Sequence, residues 1–198
     1  MKKISLISGV IVLSLVIFGC VASKRAQVEA LAKCTYDIQS INSMLVGGKS
    51  VESFDTGNGI NLASIPSIAL AILRKDLPLE ANVNLKITNP SQKTAAINQF
   101  KYLIEIQGNP VFEGTVDENI RLTTNEFSIV PLSFKLNLFG ADKKDNYVEK
   151  IFDELFKREK SDNFMTLKIK PSFRIGGNNI YYPTYITVDT NLLKKLKI

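Results

Sequence analysis

Residues 79–90 read LEANVNLKITNP, and this stretch decides the fold class. Leu79, Ala81, Val83, Leu85 and Ile87 alternate with Glu80, Asn82, Asn84, Lys86 and Thr88. A period of two places every apolar side chain on one face and every polar one on the other, which is the pattern of a half-buried strand. Asn89-Pro90 ends it, because proline has no N–H for a ladder and restricts the residue before it.

Outward from this strand the same period recurs. In Ala95–Gln107, Phe100, Tyr102, Ile104 and Ile106 face one way and Lys101, Glu105 and Gln107 the other. Gly108-Asn109 is a hairpin signal, with Val111–Val116 returning antiparallel and Ile120–Leu122 as a short edge segment. Phe127–Leu138 turns Leu132, Phe134, Leu136 and Leu138 inward and Ser133, Lys135 and Asn137 outward. Phe164–Arg174, the Gly176-Gly177-Asn178-Asn179 turn and Ile180–Val188 close the chain as a strand pair. Upstream, Thr35–Val46 reads as a first strand broken by Gly47-Gly48. Lys49–Asn61 reads as a loop with a short strand at Val51–Phe54. Strands on short turns, each with one polar face, predict antiparallel sheets packed face to face.

Two segments change period. In Ile65–Asp76, Ile65, Ile68, Ala69, Ile72 and Leu73 recur at helical spacing, with Ser64 as cap and Pro66 in the first turn. In Ala141–Lys160, Asp142 or Asp145 supplies the cap, and Tyr147, Val148, Ile151, Phe152, Leu155 and Phe156 form an apolar stripe. Its acids, including the pairs Asp153–Lys157 and Glu154–Arg158, read as a solvated face. The expected fold is therefore mainly β: an antiparallel, immunoglobulin-like or fibronectin-III-like sandwich over residues 35–198. Packed amphipathic helices are expected near 65–76 and 142–160.

The amino terminus carries a different signal. Lys2 and Lys3 precede an uncharged apolar run from Ile4 to Phe18, closing as Ile17-Phe18-Gly19-Cys20. A basic start, an apolar middle and small residues at a cut site are the order of a secretory signal. The ending resembles a bacterial lipoprotein signal, although Phe18 stands where that signal usually has a small residue. The resemblance implies cleavage before Cys20, a diacylglycerol on its thiol and acylation of the new amino terminus. Residues 1–19 would be the signal peptide and 20–34 a lipidated spacer, in which Val21–Lys33 is either a frayed helix or a flexible linker. Two other readings fit the same residues. Ile4–Ser23 is long enough, at roughly 30 Å as a helix, for an uncleaved anchor. A cut after Cys20-Val21-Ala22 would instead release a soluble exported protein.

The chain has 25 basic and 19 acidic residues, a net of +6 that becomes +4 once Lys2 and Lys3 leave with the signal. Its basic residues are scattered except at Lys143-Lys144 and Lys194-Lys195-Leu196-Lys197, so a nucleic-acid partner is not expected. Histidine is absent, which removes the usual general base near neutral pH and the commonest metal ligand. No catalytic serine or cysteine pairing, H-E-x-x-H, phosphate loop or G-x-S-x-G occurs, so no enzyme, cofactor or metal is expected. With Cys20 lipidated, Cys34 is a lone thiol, read as a small core residue.

The order of these pieces resembles the late-embryogenesis-abundant (LEA) type 2 family, also called the water-stress-and-hypersensitive-response (WHy) domain. The residues that carry it are the Asn89-Pro90 strand end, Phe100-x-Tyr102, the Gly108 turn, Phe112-Glu113-Gly114 and Ile129-Val130-Pro131-Leu132-Ser133-Phe134. Ser91 stands where the family often has a second asparagine, and the helix from Ala141 is an insertion. The resemblance covers residues 35–140. It implies a sandwich of about seven strands, association with dehydration or stress tolerance, and no known active site.

The expected function is that of a non-catalytic lipoprotein, tethered by lipid on Cys20 in the cell envelope and facing the periplasm or the surface. Its sandwich would bind a protein or envelope partner or act protectively. The alternative is a carrier of lipid or another small hydrophobe, with the 141–160 helix as lid and Tyr147, Phe152 and Phe156 lining the space beneath.

Overall fold

Leu79, Ala81, Val83, Leu85 and Ile87 are each at most 2% exposed, and the residues between them are not buried. The alternation therefore does what a strand packed on one face requires. The computed structural model describes residues 29–54, 65–139, 147–156 and 161–195. In chain order, these form a short helix α1 over 29–33, then β1 (Thr35–Val46), β2 (Lys49–Ser50) and α2 (Pro66–Leu73). They continue as β3 (Pro78–Thr88), β4 (Ala95–Ile97), β5 (Gln99–Ile106), β6 (Asn109–Val116), β7 (Ile120–Leu122) and β8 (Phe127–Asn137). Last come α3 (Tyr147–Phe156), β9 (Met165–Ile175), β10 (Asn178–Tyr181) and β11 (Ile186–Asp189).

The first sheet runs β2-β1-β3-β8 and the second β10-β9-β5-β6, with β11 also on β9; β4 and β7 form a separate ribbon. Every pairing among these strands is antiparallel. The inward side chains of both sheets join one hydrophobic core, including Leu85, Phe100, Ile104, Ile106, Leu132 and Ile169. Burying a side chain of this size contributes about 1.5–3 kcal/mol, so this layer is the main source of stability. The fold is mainly β, an antiparallel sandwich with a few short helices.

Several expected boundaries move, each for a local reason. The single strand Ala95–Gln107 is two strands: Ala95 and Ile97 are buried at odd positions, Phe100 and Tyr102 at even ones, and the parity changes at Asn98. There the Asn98 N–H donates to the carbonyl of Ser172 (3.1 Å) and its side-chain amide to Asn119 (2.7 Å). Ile180–Val188 also splits, because 182–185 leaves the sheet around Pro183, which has no donor to offer. Val51–Ser53 is a 3₁₀ turn rather than a strand. The β5–β6 hairpin turns on Gln107-Gly108 (φ 51° and 77°), and Asn109 is already paired with Ile106. Two central residues with positive φ match the right-handed twist of the strands they join.

Helix α2 is shorter than expected, ending at Leu73. α2 is capped by Ile65 without a side-chain bond, and of its expected stripe only Ile68 is buried; Leu73 is 82% exposed. Ser64 lies outside the described residues. In α3, Ile151, Phe152 and Leu155 enter the core. Glu154 is not on a solvated face: it is buried and accepts from both the N–H and the hydroxyl of Ser161, seven residues on. The candidate caps Asp142 and Asp145, like Lys157 and Arg158, lie outside the described residues, and only the backbone of Tyr147 and Phe156 is described.

Candidate binding surfaces

The residues that the sequence marks most strongly are engaged inside the fold. Asn89 is fully buried where β3 ends. Its amide donates to the carbonyls of Lys93 (2.8 Å), Leu122 (3.0 Å) and Thr123 (3.2 Å). Its side-chain oxygen accepts from the N–H (3.0 Å) and hydroxyl (2.7 Å) of Ser91. One side chain thus ties β3 to β7 and to the 90–94 turn. Ser91 suits this turn because its hydroxyl also accepts from the Lys93 N–H (3.4 Å).

Tyr102, Gly114 and Ser133 form a second tie. Tyr102 and Gly114 are cross-strand partners in β5 and β6. A Cβ on Gly114 would lie 2.3 Å from the Tyr102 ring, so only glycine lets the phenol cross β6. Its hydroxyl then donates to the Ser133 carbonyl of β8, joining the two sheets along that side. Phe112 stands between the Tyr102 and Phe134 rings, with centroids at 5.7 and 6.1 Å.

The outer faces of the two sheets differ in chemistry. On the first sheet, the middle of β1, β3 and β8 presents a lattice of Ser and Asn side chains, flanked by the Lys135–Glu80 ion pair (2.8 Å) and Lys86. Asn82 donates to Ser43 (2.9 Å) and accepts from Ser133 (2.6 Å), and Asn84 donates to Ser40 (3.1 Å) and Asn42 (3.2 Å). On the second sheet the surface is charged and aromatic. Glu113 takes Lys101 at 2.8 Å and the Tyr185 hydroxyl at 2.7 Å, and Lys168 pairs with Glu105 at 2.8 Å. The ammonium groups of Lys101 and Lys170 stand 5.8 and 5.6 Å from the Tyr181 and Tyr185 ring centres.

The electrostatics of this second surface follow from the same contacts. The bond from Lys101, then that from Tyr185, holds Glu113 below the usual carboxylate range. The hydrogen bond to Glu113 raises Lys101, and burial followed by the same carboxylate raises Tyr185. Neither Lys101 nor Tyr185 is thereby primed as a base or nucleophile near neutral pH. These tyrosines were not singled out from sequence, because Tyr181 and Tyr185 meet Gln99 and Glu113 only through strand order.

A third feature is a cleft of about 550 Å³ between α1 and the 90–93 turn, with Ala30, Lys33, Pro90 and Gln92 on its walls. The Lys93–Glu29 ion pair (3.0 Å) spans its two sides. This is the end of the sandwich to which residues 20–28 lead. Cys20, the expected lipidation site, lies outside the described residues, as do the rest of the signal and the spacer to residue 28.

Cys34 is buried beside α1 with its thiol toward Ala30 O (3.5 Å), and burial pushes its pKa up to about 11. Since the thiolate is the reactive form, native protein is expected to resist alkylation near neutral pH. In denaturant it should react completely; rapid labelling of the folded domain by a maleimide would contradict the buried geometry. Among the described residues no group of three or more acids and cysteines could hold a metal, and no helix is long and apolar enough to cross a membrane.

No family model and no curated protein matches the chain. Solved structures similar to it include these two. One is a protein from Archaeoglobus fulgidus, 17% identical over 56% of this chain and 82% of that one, with a TM-score of 0.33. The other is a solution structure described as a late embryogenesis abundant (LEA) protein. It is 12% identical over 88% of this chain and 85% of that one, with a TM-score of 0.35.

Proposed function

We propose that this chain is a non-catalytic lipoprotein of the cell envelope, held to its membrane by lipid on Cys20 and offering its sandwich surfaces to a protein or envelope partner. The observation that carries the tether is the apolar run Ile4–Phe18 ending in Gly19-Cys20. Each acyl chain adds about 0.8 kcal/mol per buried CH₂, so two or three chains make attachment effectively permanent. The non-catalytic half rests on the absence of histidine and on the motif residues Asn89, Tyr102 and Gly114 being engaged in holding the fold. The residue order shared with the LEA type 2 family extends this reading to protection under water stress. Burial of Ile151, Phe152 and Leu155 in the core supports α3 as a packing element rather than as a lid over a ligand space.

The test is metabolic labelling with palmitate. Wild type should incorporate label and fractionate with membranes, whereas a Cys20→Ala variant should lose the label. Wild type without label, together with a variant just as membrane-bound, would refute the lipid tether.

A further inference from the structure

The described residues leave six large apolar side chains exposed: Leu70, Leu73, Phe127, Ile129, Ile175 and Ile180. They fall at two ends of the sandwich. Leu70 and Leu73 belong to α2, which precedes the first residue of β3. Phe127 is paired with Thr88 at the other end of β3, with Ile129 beside it on β8. Ile175 and Ile180 belong to the β9–β10 hairpin, which runs past the Gln99–Ser172 pair. Gln99 opens β5 just after β4, whose partner β7 is bonded to Asn89 beside Thr88, so the hairpin lies toward the same end as Phe127. The two ends are separated by the 11 residues of β3, roughly 33 Å of strand.

Residues 20–28 lead to one of these ends only. Thr35, two residues after α1, is paired with Thr88, and Lys93 is bonded to Glu29 of α1. Between Cys20 and α1 lie residues 21–28, a span of at most about 28 Å even fully extended. That length brings the Phe127 end to a bilayer surface far more readily than the α2 end. Lys86 stands 4.6 Å over the Phe127 ring, giving this apolar tip a cation at headgroup depth. The charges there are mixed, with Glu126 bonded to Thr123 and Glu29 to Lys93, so apolar insertion rather than net charge would drive contact.

Building on the lipid tether proposed above, we infer that Phe127 and Ile129, with Ile175 and Ile180, form a membrane-contact surface. The sandwich stands end-on, with this tip in the lipid headgroup layer and α2 directed away. Phe127 and Ile129 then act as interfacial anchors, and the two outer sheet faces stay open to partners.

The chain contains no tryptophan, so one introduced indole reports alone. Lipidated full-length Phe127→Trp and Leu73→Trp variants are each reconstituted into phosphatidylcholine vesicles with and without dibrominated acyl chains. Both positions are more than half exposed, so the fold should tolerate either change. Emission from Phe127→Trp is expected to fall at least about two-fold in brominated vesicles, as for a group seated in the interface, while Leu73→Trp stays unchanged. Flotation with the vesicles without quenching at 127, or equal quenching at both positions, overturns the end-on contact and leaves the tether standing. Failure to float overturns the tether and this surface with it.

Discussion

Replacing Asn89 by alanine is expected to destabilise the domain by about 3 kcal/mol, because a buried polar group left without its partner costs about 1–3 kcal/mol. The substitution removes at once the donor to the carbonyls of Lys93, Leu122 and Thr123 and the acceptor for Ser91. In a domain of this size that loss should lower the melting temperature by roughly 6–12 °C. Asn89→Asp should be at least as damaging at neutral pH, since it sets a carboxylate against carbonyl oxygens that want a donor. Burial among acceptors raises the folded-state pKa of such an aspartate, so its stability should recover as pH falls and the protonated acid donates again. Urea unfolding of wild type and both variants across pH 4–8 measures this. Loss of less than about 0.5 kcal/mol in Asn89→Ala, the range of an ordinary surface change, would mean that the tie is not structural.

Gly114→Ala is expected to cost about 2–4 kcal/mol. The added carbon would meet the Tyr102 ring at 2.3 Å, and backbone in a paired strand cannot retreat far. Either the phenol swings out, losing its bond to Ser133 and its place beside Phe112, or β6 lifts from β5. The clash is specific to one neighbour, which makes it separable from a general strand effect. In Tyr102→Ala the new methyl has room, so the double variant should be little worse than Tyr102→Ala alone. Additive losses in that cycle would show that Gly114 serves the backbone rather than the crossing phenol. Tyr102→Phe should fall between, keeping the ring and losing only the bond across the sheets.

Much of this fold could be read from alternation, because a period of two reports directly on which side of a strand is dry. Every inward residue assigned on β3, and Phe100, Tyr102, Ile104 and Ile106 on β5, is buried. The same rule contained signals that were not drawn out. The parity change at Asn98 separates β4 from β5, and Phe127 and Ile129 stand at outward positions of β8. Helical periodicity was less informative: Leu73 sits at stripe spacing in α2, yet a helix of eight residues buries only Ile68 fully, with Ala71 and Ile72 half-buried against the core. What local pattern could not give was any contact between segments distant along the chain. The buried bonds of Asn89, the reach of Tyr102 over Gly114 and the meeting of Tyr185 with Glu113 depend on strand order. That information lies in which strands pair, not in any one of them.

Under the lipid tether proposed above, the phenol that spans β6 would have a bearing on life at a crowded surface. Copies anchored in two dimensions meet far more often than copies in solution, and unpaired strand borders are the usual route by which such neighbours polymerise. Here the borders of β6 and β8 face each other and are clasped by Tyr102, and each strand carries a proline, Pro110 and Pro131, that withholds a ladder donor. A protein kept at high lateral density would thereby be unable to polymerise through these two borders.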